Sequence, residues 1–259
     1  MPAKGKQYYY INTIAKAIKI LELLAEKEKL SVSDIAKYFG FDRTGSHRYL
    51  ATLKELGYVE QEKDHKYQLT SKLLALGSKY SQRFEIIRSA RPFLEKLNDK
   101  FNETINLGRF IGNEILQLDR IDSTEILRID SPLGTRVPAY CTALGKAILS
   151  TLKPDELTSY LKKIKLERYG PNTILSLKKL KIELKETSKR GYAIDNEEFV
   201  NGLTCIAAPV FTNSYRAHYA IGLSVPTARF YEVDSKNGHL LIMSLCKELS
   251  EKLSDAIKI

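Results

Sequence analysis

Residues 31–57 contain the feature that most constrains the fold of this chain, two short amphipathic helices that meet at a tight turn. Ser31 followed by Asp34 is a capping-box pattern that begins a helix. Gly40 can end that helix, because glycine adopts the left-handed C-terminal conformation without strain. Asp42 can cap the second helix. The positions that helical spacing predicts to be buried are Val32, Ile35, Ala36, Phe39, Leu50, Leu53 and Leu56.

The second helix carries hydrogen-bonding side chains on its outer face. A helix with an apolar back that offers such groups from its N-terminal half fits the major groove of DNA, where base edges are read. Helix pairs also occur as plain packing units, and a polar helix face is more often only solvated, so both interpretations stand at this point. The residues of this helix that are candidates for DNA contact are Arg43, Thr44, Ser46, His47 and Arg48.

The flanking segments predict a winged helix-turn-helix domain. An amphipathic helix is expected after Asn12, and two short strands, Tyr58–Glu60 and Lys66–Leu69, surround a polar tip. Such a hairpin forms a wing, on which Lys63 and Lys66 come within reach of a phosphate backbone. The apolar positions that define the first helix are Ile14, Ala17, Ile18, Leu21, Leu24 and Ala25.

The charge of the chain supports a polyanionic partner. The net charge is +10 at neutral pH, and residues 1–80 hold 14 Lys and Arg against 9 Asp and Glu, a net +5. Such a field attracts DNA and makes the affinity depend on salt. A lysine-rich proteome would give the same excess, so charge is supporting information only. Lys4 and Lys6 form either a flexible basic arm or a simple tail.

Composition predicts a soluble, cytoplasmic protein of more than one domain. The length of 259 residues favours two domains, and 43% hydrophobic content is ample for globular cores. No apolar run is long enough to cross a bilayer, and the first ten residues lack the apolar segment of a signal peptide. Cys141, Cys205 and Cys246 lie far apart, so free thiols are expected rather than a disulfide framework.

The remainder of the chain predicts an α+β domain on an antiparallel sheet. Residues 70–100 have a helical pattern with an interruption at Arg91–Pro92, because proline breaks the hydrogen bonding of a helix. Adjacent hairpins with segregated helices are typical of this class. The expected strands are 104–110, 114–120, 125–130, 205–211 and 219–225, and the expected helices are 143–150, 154–164, 177–190 and 234–259, with a turn at 212–214.

Several blocks of sequence, in the same order, resemble the IclR family of bacterial and archaeal transcription regulators. They are AIKILELLAEKEKLSVSDIAKYFGFDRTGSHRYLATLKELGYVE, YQLTSKLLALG, PLGTRVPAYCTALGKAILS, RGYAIDNEEFVNGLTCIAAPVF and AIGLSVP. The resemblance implies a winged helix-turn-helix over residues 1–70, a linker helix over 71–83, and a GAF/PAS-like effector-binding and oligomerisation domain over 84–259. It also implies homodimers, or dimers of dimers, whose binding to promoter DNA changes when a small organic metabolite occupies the last domain.

The segment CTALGKA looks like a phosphate-binding loop but lacks its chemistry. Such a loop needs a glycine five positions before the Gly-Lys pair and a Ser or Thr after it, and Tyr140 and Ala147 occupy those positions. The resemblance implies instead that this loop borders the effector pocket, with Ala143 and Leu144 in its lining. Gly145 would let the backbone approach the ligand; a glycine needed only for helix–sheet packing is the alternative.

The resemblance further implies a set of pocket residues whose polar part is Asp195, Cys205 and Ser224. A lone cysteine is more often a small core residue, so the cluster carries more weight than any one member. Thr204 stands where many members have arginine, and Gly222 where some acid-binding members have a hydroxyl residue. Both changes remove donors and enlarge the pocket, which puts a small carboxylate ligand in doubt. The effector-binding candidates are Ile126, Ile129, Val137, Ala143, Leu144, Asp195, Leu203, Cys205, Gly222 and Ser224.

Three functions compete at this point. A ligand-responsive regulator would bind double-stranded DNA as a dimer at an inverted-repeat operator. A DNA-binding structural protein would use its second domain only to oligomerise. An enzyme would use Cys205 as a nucleophile, but none of the 4 histidines lies in a Cys–His signature. We expect the regulator, with no catalysis and no cofactor. No metal ligand is assigned: Asp195 and Cys205 are competent ligands but too few for a standard zinc site, so whether the pocket holds a metal stays open.

Overall fold

The computed structural model describes residues 11–82, 85–129, 132–212 and 216–256 of the chain. It divides into two compact units, one that extends to residue 83 and one that begins at residue 84. Lys4 and Lys6, for which the sequence left a basic arm or a simple tail open, lie outside the described residues.

The first unit is a helix-turn-helix with a preceding helix, an antiparallel hairpin and a following helix. This order confirms the winged helix-turn-helix that the sequence predicts. The elements are α1 (Asn12–Lys27), α2 (Val32–Phe39), α3 (Arg43–Glu55), β1 (Val59–Gln61), β2 (Tyr67–Leu69) and α4 (Lys72–Gln82).

The predicted start and end of α2 are confirmed atom by atom. Ser31 Oγ accepts a hydrogen bond from the backbone N–H of Asp34 at 3.2 Å, and Asp34 Oδ2 accepts one from the N–H of Ser31 at 2.9 Å. Gly40 ends the helix with φ +65°, and its N–H donates to the carbonyl of Ala36. Each such cap stabilises a helix by about 1 kcal/mol, so the turn before α3 is well defined.

The core of the first unit is built from three helices and the hairpin, and it contains Ile20, Leu24, Ile35 and Leu50. Leu56 was expected there, but it is 52% exposed. Six residues separate it from Leu50, which rotates it by about 240° around a helix axis and away from the buried stripe. The expected stripe of α1 also differs, because Ile14, Ile18 and Ala25 are exposed while Ile20, Leu23 and Leu24 are buried.

Within the described residues, the second unit forms a six-stranded antiparallel sheet in the order β5-β4-β3-β8-β7-β6, with helices on both faces. The α+β class predicted from the sequence is confirmed. The elements are α5 (Glu85–Phe101), β3 (Thr104–Ile111), β4 (Glu114–Ile121), β5 (Arg136–Pro138), α6 (Ala143–Leu149), α7 (Pro154–Leu161), α8 (Leu177–Arg190), β6 (Ala193–Asn196), β7 (Leu203–Phe211), β8 (Ala217–Pro226), α9 (Phe230–Ser235) and α10 (Gly238–Ala256).

Strand alternation sends the side chains of this sheet into two separate layers. On β8, Ile221, Leu223 and Val225 belong to the core that α5 and α10 cover. Ala220 and Ser224 point to the other face, because successive side chains of a strand alternate between faces, and Ala220 belongs to the core under α6 and α8. This second face carries the cavity discussed below.

The sequence predicts two helices or a kink at Arg91–Pro92; the division into two helices at this point is wrong, because α5 runs through it. Pro92 removes one helical hydrogen bond, but it lies on the exposed side of α5, where water can satisfy the carbonyl left over from the preceding turn. The buried side of the same helix contains Ala90, Phe93, Leu94 and Leu97. Packing of this apolar side therefore outweighs the local cost of the proline.

The predicted strand at 125–130 is also absent from the described residues, 125–129, which form bends and irregular backbone. The edge of β4 is paired instead with β5, a strand of three residues that the sequence did not indicate. The carbonyl of Leu127 accepts a hydrogen bond from Arg229 Nη2 at 3.0 Å. A side-chain donor thus satisfies a backbone carbonyl in the segment where pairing with a neighbouring strand was expected.

The last predicted helix, 234–259, is divided into α9 and α10 as far as the structure describes it. Asn237 has φ +55° at the break. A Cβ at Gly238 would lie 2.4 Å from Val233 Cγ1, so the two helices meet at a point where only glycine fits. Residues 257–259, the residues 213 and 214 of the expected turn, and residue 130 lie outside the described part of the chain.

Candidate functional site

Four side chains of α3 project from the first unit without partners of their own. Arg43, Thr44, His47 and Arg48 are exposed, and none forms a hydrogen bond or ion pair with any residue that the structure describes. Residues three and four apart lie on the same side of a helix, so the four form one face. This face offers guanidinium, imidazole and hydroxyl groups to another molecule.

Ser46 does not belong to this face, and its prediction as a DNA-contacting residue is wrong. Its side chain is fully buried, and its hydroxyl donates to the carbonyl of Asp42 at 3.0 Å. Ser46 precedes the buried Leu50 by about one helical turn, so both lie on the back of α3.

The start of α3 explains an otherwise unfavourable glycine. Asp42 Oδ1 accepts a hydrogen bond from the N–H of Gly45 at 2.6 Å. A Cβ on Gly45 would lie 2.6 Å from Asp42 Oδ2. The glycine therefore makes room for the capping carboxylate that fixes the beginning of the helix.

The hairpin of β1 and β2 carries the basic residues of the wing. Its tip turns at His65, which has φ +63°. Lys63 is exposed and has no hydrogen-bond or ion-pair partner within the described ranges. Lys66 Nζ lies 3.9 Å from Asp64 Oδ2, with both side chains about half exposed. Such a surface pair contributes little, so both lysines can contact a phosphate backbone.

The second unit contains a cavity of about 320 Å³ on the α6 face of its sheet. Strands β3, β4, β6, β7 and β8 supply its floor, and α6 and the loop after β6 supply walls. The candidates that the structure brings together around it are Ile129, Val137, Ala143, Leu144, Asp195, Leu203, Cys205, Gly222 and Ser224.

Ile126 is the exception among the effector-binding candidates, and its prediction as a pocket wall is wrong. Its side chain is 99% exposed, and it does not line the cavity. The strand that would have turned it inward is not formed in the described residues 125–129. Only Ile129, three residues later, reaches the cavity.

Five polar side chains, here called the polar row, cross the cavity floor from strand to strand. They are Gln117 on β4, Asn106 on β3, Ser224 on β8, Cys205 on β7 and Asp195 on β6. Asn106 Nδ2 donates to Ser224 Oγ at 2.9 Å, and Gln117 Nε2 donates to Asn106 Oδ1 at 2.7 Å. Cys205 is paired in register with both Ser224 and Asp195, and its Sγ donates to Ser224 Oγ at 3.4 Å. The hydrogen bonds hold these side chains in one orientation.

Asp195 connects the polar row to a buried ion pair that sequence reasoning missed. Its Oδ1 accepts a hydrogen bond from the N–H of Glu198 at 2.7 Å. The Glu198 carboxylate is paired with Lys146 Nζ, and the Lys146 side chain is only 1% exposed. Lys146 lies on α6 and Glu198 in the loop after β6, so this pair joins two walls of the cavity.

Burial changes the protonation of the acidic groups here. It raises the pKa of Asp195 to about 7, although the N–H of Glu198 opposes the shift. It also raises the pKa of Glu198, against the effect of Lys146. Asp195 is therefore close to half protonated near neutral pH, and its carboxyl group can donate as well as accept a hydrogen bond.

Burial also acts on the two thiols near the cavity. It raises the pKa of Cys141 to about 12 and raises the pKa of Cys205 still further. A thiolate is the reactive form of cysteine. Both side chains are thus inert thiols at neutral pH, and Cys205 acts as a weak hydrogen-bond donor to Ser224.

Leu144 fills the space that two glycines of the sheet leave free. A Cβ on Gly108 would lie 2.6 Å from Ile115 Cγ2 and 3.0 Å from Leu144 Cδ1, and a Cβ on Gly222 would lie 3.1 Å from Leu144 Cδ2. Gly222 lines the cavity, and Leu144 takes up part of the space beside it. The missing side chain is replaced by a leucine that reaches down from α6.

Two further expectations about this region are corrected. A Cβ on Gly145 would lie 2.0 Å from the carbonyl oxygen of Ala139, so this glycine serves close backbone packing and does not line the cavity. Thr204 does not line it either, because it points to the opposite face of β7, where its Oγ1 lies 3.0 Å from Thr227 Oγ1. Threonine at this position thus removes no donor from the cavity wall.

The cavity contains residues that the sequence analysis did not select. A detectable signal existed for two of them, because Asn106 and Gln117 are polar residues on the inward face of otherwise apolar strands. Leu223 lies on the predicted strand β8, and the others lie in loops or on short elements without a pattern of their own. The added lining residues are Asn106, Gln117, Pro132, Thr135, Arg136, Thr142, Phe199, Val200 and Leu223.

In the part of the chain that the structure describes, no group of three or more His, Cys, Asp or Glu side chains is arranged to hold a metal ion. No described helix is both long and apolar enough to span a bilayer.

Two family models together cover most of the chain. Residues 13–63 match the IclR helix-turn-helix domain, and residues 78–254 match the family described as bacterial transcriptional regulator IclR C-terminal. The chain belongs to the IclR family. As an IclR-type protein, it is a DNA-binding transcriptional regulator.

Similar IclR proteins match along nearly their whole length. The HTH-type transcriptional regulator KdgR of Escherichia coli is 33% identical over 249 residues, which is 96% of this chain and 95% of that protein. The crystal structure of the Thermotoga maritima IclR protein is 32% identical, with a TM-score of 0.83 over 95% of this chain and 100% of that one. An IclR homologue from Microbacterium hydrocarbonoxydans, complexed with 4-hydroxybenzoate, shares the fold at 21% identity and a TM-score of 0.80, over 93% of this chain and 98% of that chain.

The IclR matches agree with the structural elements. The helix-turn-helix match covers α1, α2, α3 and β1, which include the face of exposed donors on α3. The C-terminal match begins within α4 and extends through the six-stranded sheet into α10, so it contains the whole cavity. The two candidate surfaces therefore belong to the two parts of an IclR regulator.

Proposed function

We propose that this IclR-type regulator reads a double-stranded DNA operator with α3 and the wing, and that a small organic metabolite in the cavity changes its affinity for DNA. The observation that carries the proposal is the α3 face, on which four side chains have no hydrogen-bond or ion-pair partner among the described residues. Donors without internal partners on a helix with an apolar back are suited to base edges in the major groove.

The residues of the first unit divide into two roles. Arg43 and Arg48 suit bidentate contacts to guanine O6 and N7, which discriminate between bases, and Thr44 and His47 suit single contacts beside them. Lys63 and Lys66 on the wing suit phosphate oxygens, which fix register without reading sequence.

The cavity of the second unit supports the effector part of the proposal. Its volume of about 320 Å³ falls at the lower end of the range of small-molecule sites, and apolar walls with a few fixed polar groups are typical of them. Because α6 and the loop after β6 both line it, a ligand that prefers one spacing of these walls would shift the protein toward that arrangement. By linkage, the metabolite then changes the affinity for DNA by the same factor as DNA changes the affinity for the metabolite.

A second copy of the chain is the proposed partner of an apolar surface on the first unit. Ile14, Ile18, Leu56 and Leu76 are exposed and line a groove of about 480 Å³. Since α1 buries Ile20, Leu23 and Leu24 on its other side, it is apolar on two sides, as expected of a helix at a subunit interface. A two-fold dimer, alone or paired into a dimer of dimers, would present two α3 helices to an inverted repeat with half-sites about 10 bp apart or a multiple of it.

Two other functions are less well supported. An enzyme that uses Cys205 would need a thiolate and a neighbouring base, but burial holds the Cys205 thiol protonated. A structural DNA-binding protein with an unliganded second unit would leave the polar row of the cavity without a role.

A regulator that acts on chromosomal DNA would work in the cytoplasm.

Selection of bound fragments from the genome tests the proposed function. The purified full-length protein is expected to enrich fragments that share an inverted repeat, and the products of neighbouring genes then indicate metabolites for a binding test. Enrichment without a shared motif would refute sequence-specific reading. A shared motif whose affinity no metabolite changes would leave only the structural DNA-binding protein.

A further inference from the structure

The cavity floor has a chemical pattern that is more specific than a general small-molecule site. The polar row places one polar side chain on each of five adjacent strands, and adjacent strands are about 4.8 Å apart. Amide, hydroxyl, thiol and carboxyl groups thus follow one another from strand to strand. Each neighbour in this row is connected to the next by a hydrogen bond or by direct register.

Internal hydrogen bonds leave several polar atoms of the row available. Ser224 Oγ accepts hydrogen bonds from Asn106 and from Cys205. Its own proton has no acceptor among the described residues and is available to a ligand. Asn106 Nδ2 uses one of its two protons, and Gln117 uses both Nε2 protons but not its Oε1. The row therefore offers both unused donors and unused acceptors, which suits hydroxyl groups because each of them both donates and accepts.

Much of the remaining lining of the cavity is apolar. Val137 and Leu203 belong to strands of the sheet itself, and Leu144, Phe199 and Val200 come from α6 and the loop after β6. A ligand in the cavity must therefore be polar where it meets the polar row and carry C–H groups where it meets these side chains. A fatty chain would leave the polar row without partners, which costs free energy for buried polar groups.

The charge around the cavity does not provide a buried site for an anion. Arg136 is the one Lys or Arg among the described lining residues. Its side chain is 55% exposed at the rim and lies 3.7 Å from Glu114, between Nη1 and Oε2. Arg136 is thus the one described lining side chain that can form an ion pair with a carboxylate, while the polar row is suited to uncharged hydroxyls.

We propose that the effector site takes a polyhydroxylated ligand of the size of one sugar, with its hydroxyl groups along the polar row. A volume of about 320 Å³ accommodates a monosaccharide, an alditol or an aldonic acid rather than a disaccharide or a nucleotide. The proposal rests on the proposed function in placing the effector in this cavity. The neutral and acidic forms share the hydroxyl chemistry and differ only in whether Arg136 holds a carboxylate.

Isothermal titration of the full-length protein with matched probes tests the ligand class. Xylitol and mannitol represent neutral polyols, xylonate and gluconate represent hydroxylated acids, and hexanoate and 4-hydroxybenzoate represent acids without a hydroxylated chain. We expect at least one hydroxylated probe to bind and neither of the last two. Absence of binding by all four hydroxylated probes, or tighter binding of hexanoate or 4-hydroxybenzoate, would overturn the proposal.

Variants locate the binding and separate the two forms. Asn106→Leu and Ser224→Ala are each expected to lower the affinity for the hydroxylated probe about tenfold or more, because each removes a group that forms a hydrogen bond with the ligand. Thr204→Val is the matched control, since it removes a buried hydroxyl from the other face of the same sheet. Arg136→Gln is expected to weaken an aldonate but not an alditol. Binding that survives in both Asn106→Leu and Ser224→Ala would overturn the assignment to the polar row.

The same titrations distinguish failure of this proposal from failure of the proposed function. If 4-hydroxybenzoate or hexanoate binds and alters operator affinity, the regulator stands and the ligand class is wrong. If a hydroxylated probe binds at the polar row but operator affinity does not change, the ligand class stands and the coupling to DNA is wrong.

Discussion

Lys146 and Glu198 form an ion pair that is withdrawn almost completely from solvent. The pair joins α6 to the loop after β6, and the backbone N–H of the same Glu198 holds Asp195 on the cavity floor. Glu198 Oε2 has no hydrogen-bond partner among the described residues, so the carboxylate depends on Lys146 for its compensation. The ion pair of Lys146 and Glu198 therefore contributes to the shape of the cavity as well as to the stability of the fold.

Removal of one partner of this pair is expected to be strongly destabilising. Lys146→Met leaves a buried carboxylate uncompensated, and we expect the free energy of unfolding to fall by about 3–5 kcal/mol. Urea unfolding followed by circular dichroism measures it. Lys165→Met is the control, because Lys165 pairs with Glu167 on the surface, and little change is expected. The double variant Lys146→Met/Glu198→Met should recover much of the loss; an undisturbed single variant would contradict the role of the pair.

The raised pKa of Asp195 predicts a pH dependence of stability. Burial moves this pKa from 3.8 to about 7, so between those values the folded state holds a proton that the unfolded state has released. The stability contributed by this group is therefore present at low pH and is lost as pH rises toward about 7. Asp195→Asn stays neutral and should gain stability relative to the wild type as pH rises from 5 to 8. Parallel urea unfolding curves at each pH measure the difference, and a constant difference would refute the assignment.

Arg48 and Lys66 are expected to affect DNA binding in different ways. Arg48→Ala should weaken binding to the selected operator by about 1–3 kcal/mol, because a base contact is lost. The affinity for random DNA should change much less. Lys66→Ala should weaken both duplexes by similar amounts and reduce the salt dependence. Fluorescence anisotropy with both duplexes over a series of salt concentrations measures this. Equal losses on both duplexes for Arg48→Ala would defeat the base-reading role of Arg48.

The exposed apolar surface on α1 and α4 predicts the assembly of the protein. Ile18→Glu or Leu76→Glu should reduce the sedimenting mass and abolish cooperative binding to the inverted repeat, because each places a charge in an apolar interface. Leu177→Glu, at an exposed leucine in the second unit, is the matched control. Analytical ultracentrifugation measures the mass. An unchanged assembly in both variants would place the subunit interface elsewhere.

The elements of the first unit were predictable because their signals are local. The capping box of Ser31 and Asp34 and the glycine at position 40 involve residues within one or two turns, and the structure contains each contact. The prediction failed at Leu56, which has the right residue type but lies beyond the last buried turn. In the second unit, the prediction failed at Pro92 because packing of the apolar side of α5 holds the helix together around it.

The cavity was only partly predictable, since it is built from distant parts of the chain. Resemblance to the IclR family indicated Asp195, Cys205 and Ser224, which the sheet places side by side. The ion pair of Lys146 and Glu198 carried no sequence signal, because a lysine near a helix start is ordinarily solvated. The pairing of β6, β7 and β8 brings Asp195, Cys205 and Ser224 together. Lys146 meets Glu198 only because α6 lies against the loop after β6.

Competition between the selected operator and a scrambled duplex of the same length tests the central claim most directly. At physiological salt, we expect the wild type to prefer the operator by about a thousandfold or more. The Arg43→Ala/Arg48→Ala variant, whose replaced side chains lie on the exposed face of α3, should lose most of that preference. Equal affinity of the wild type for the two duplexes, or a preference that survives in the double variant, would contradict the reading of DNA by α3.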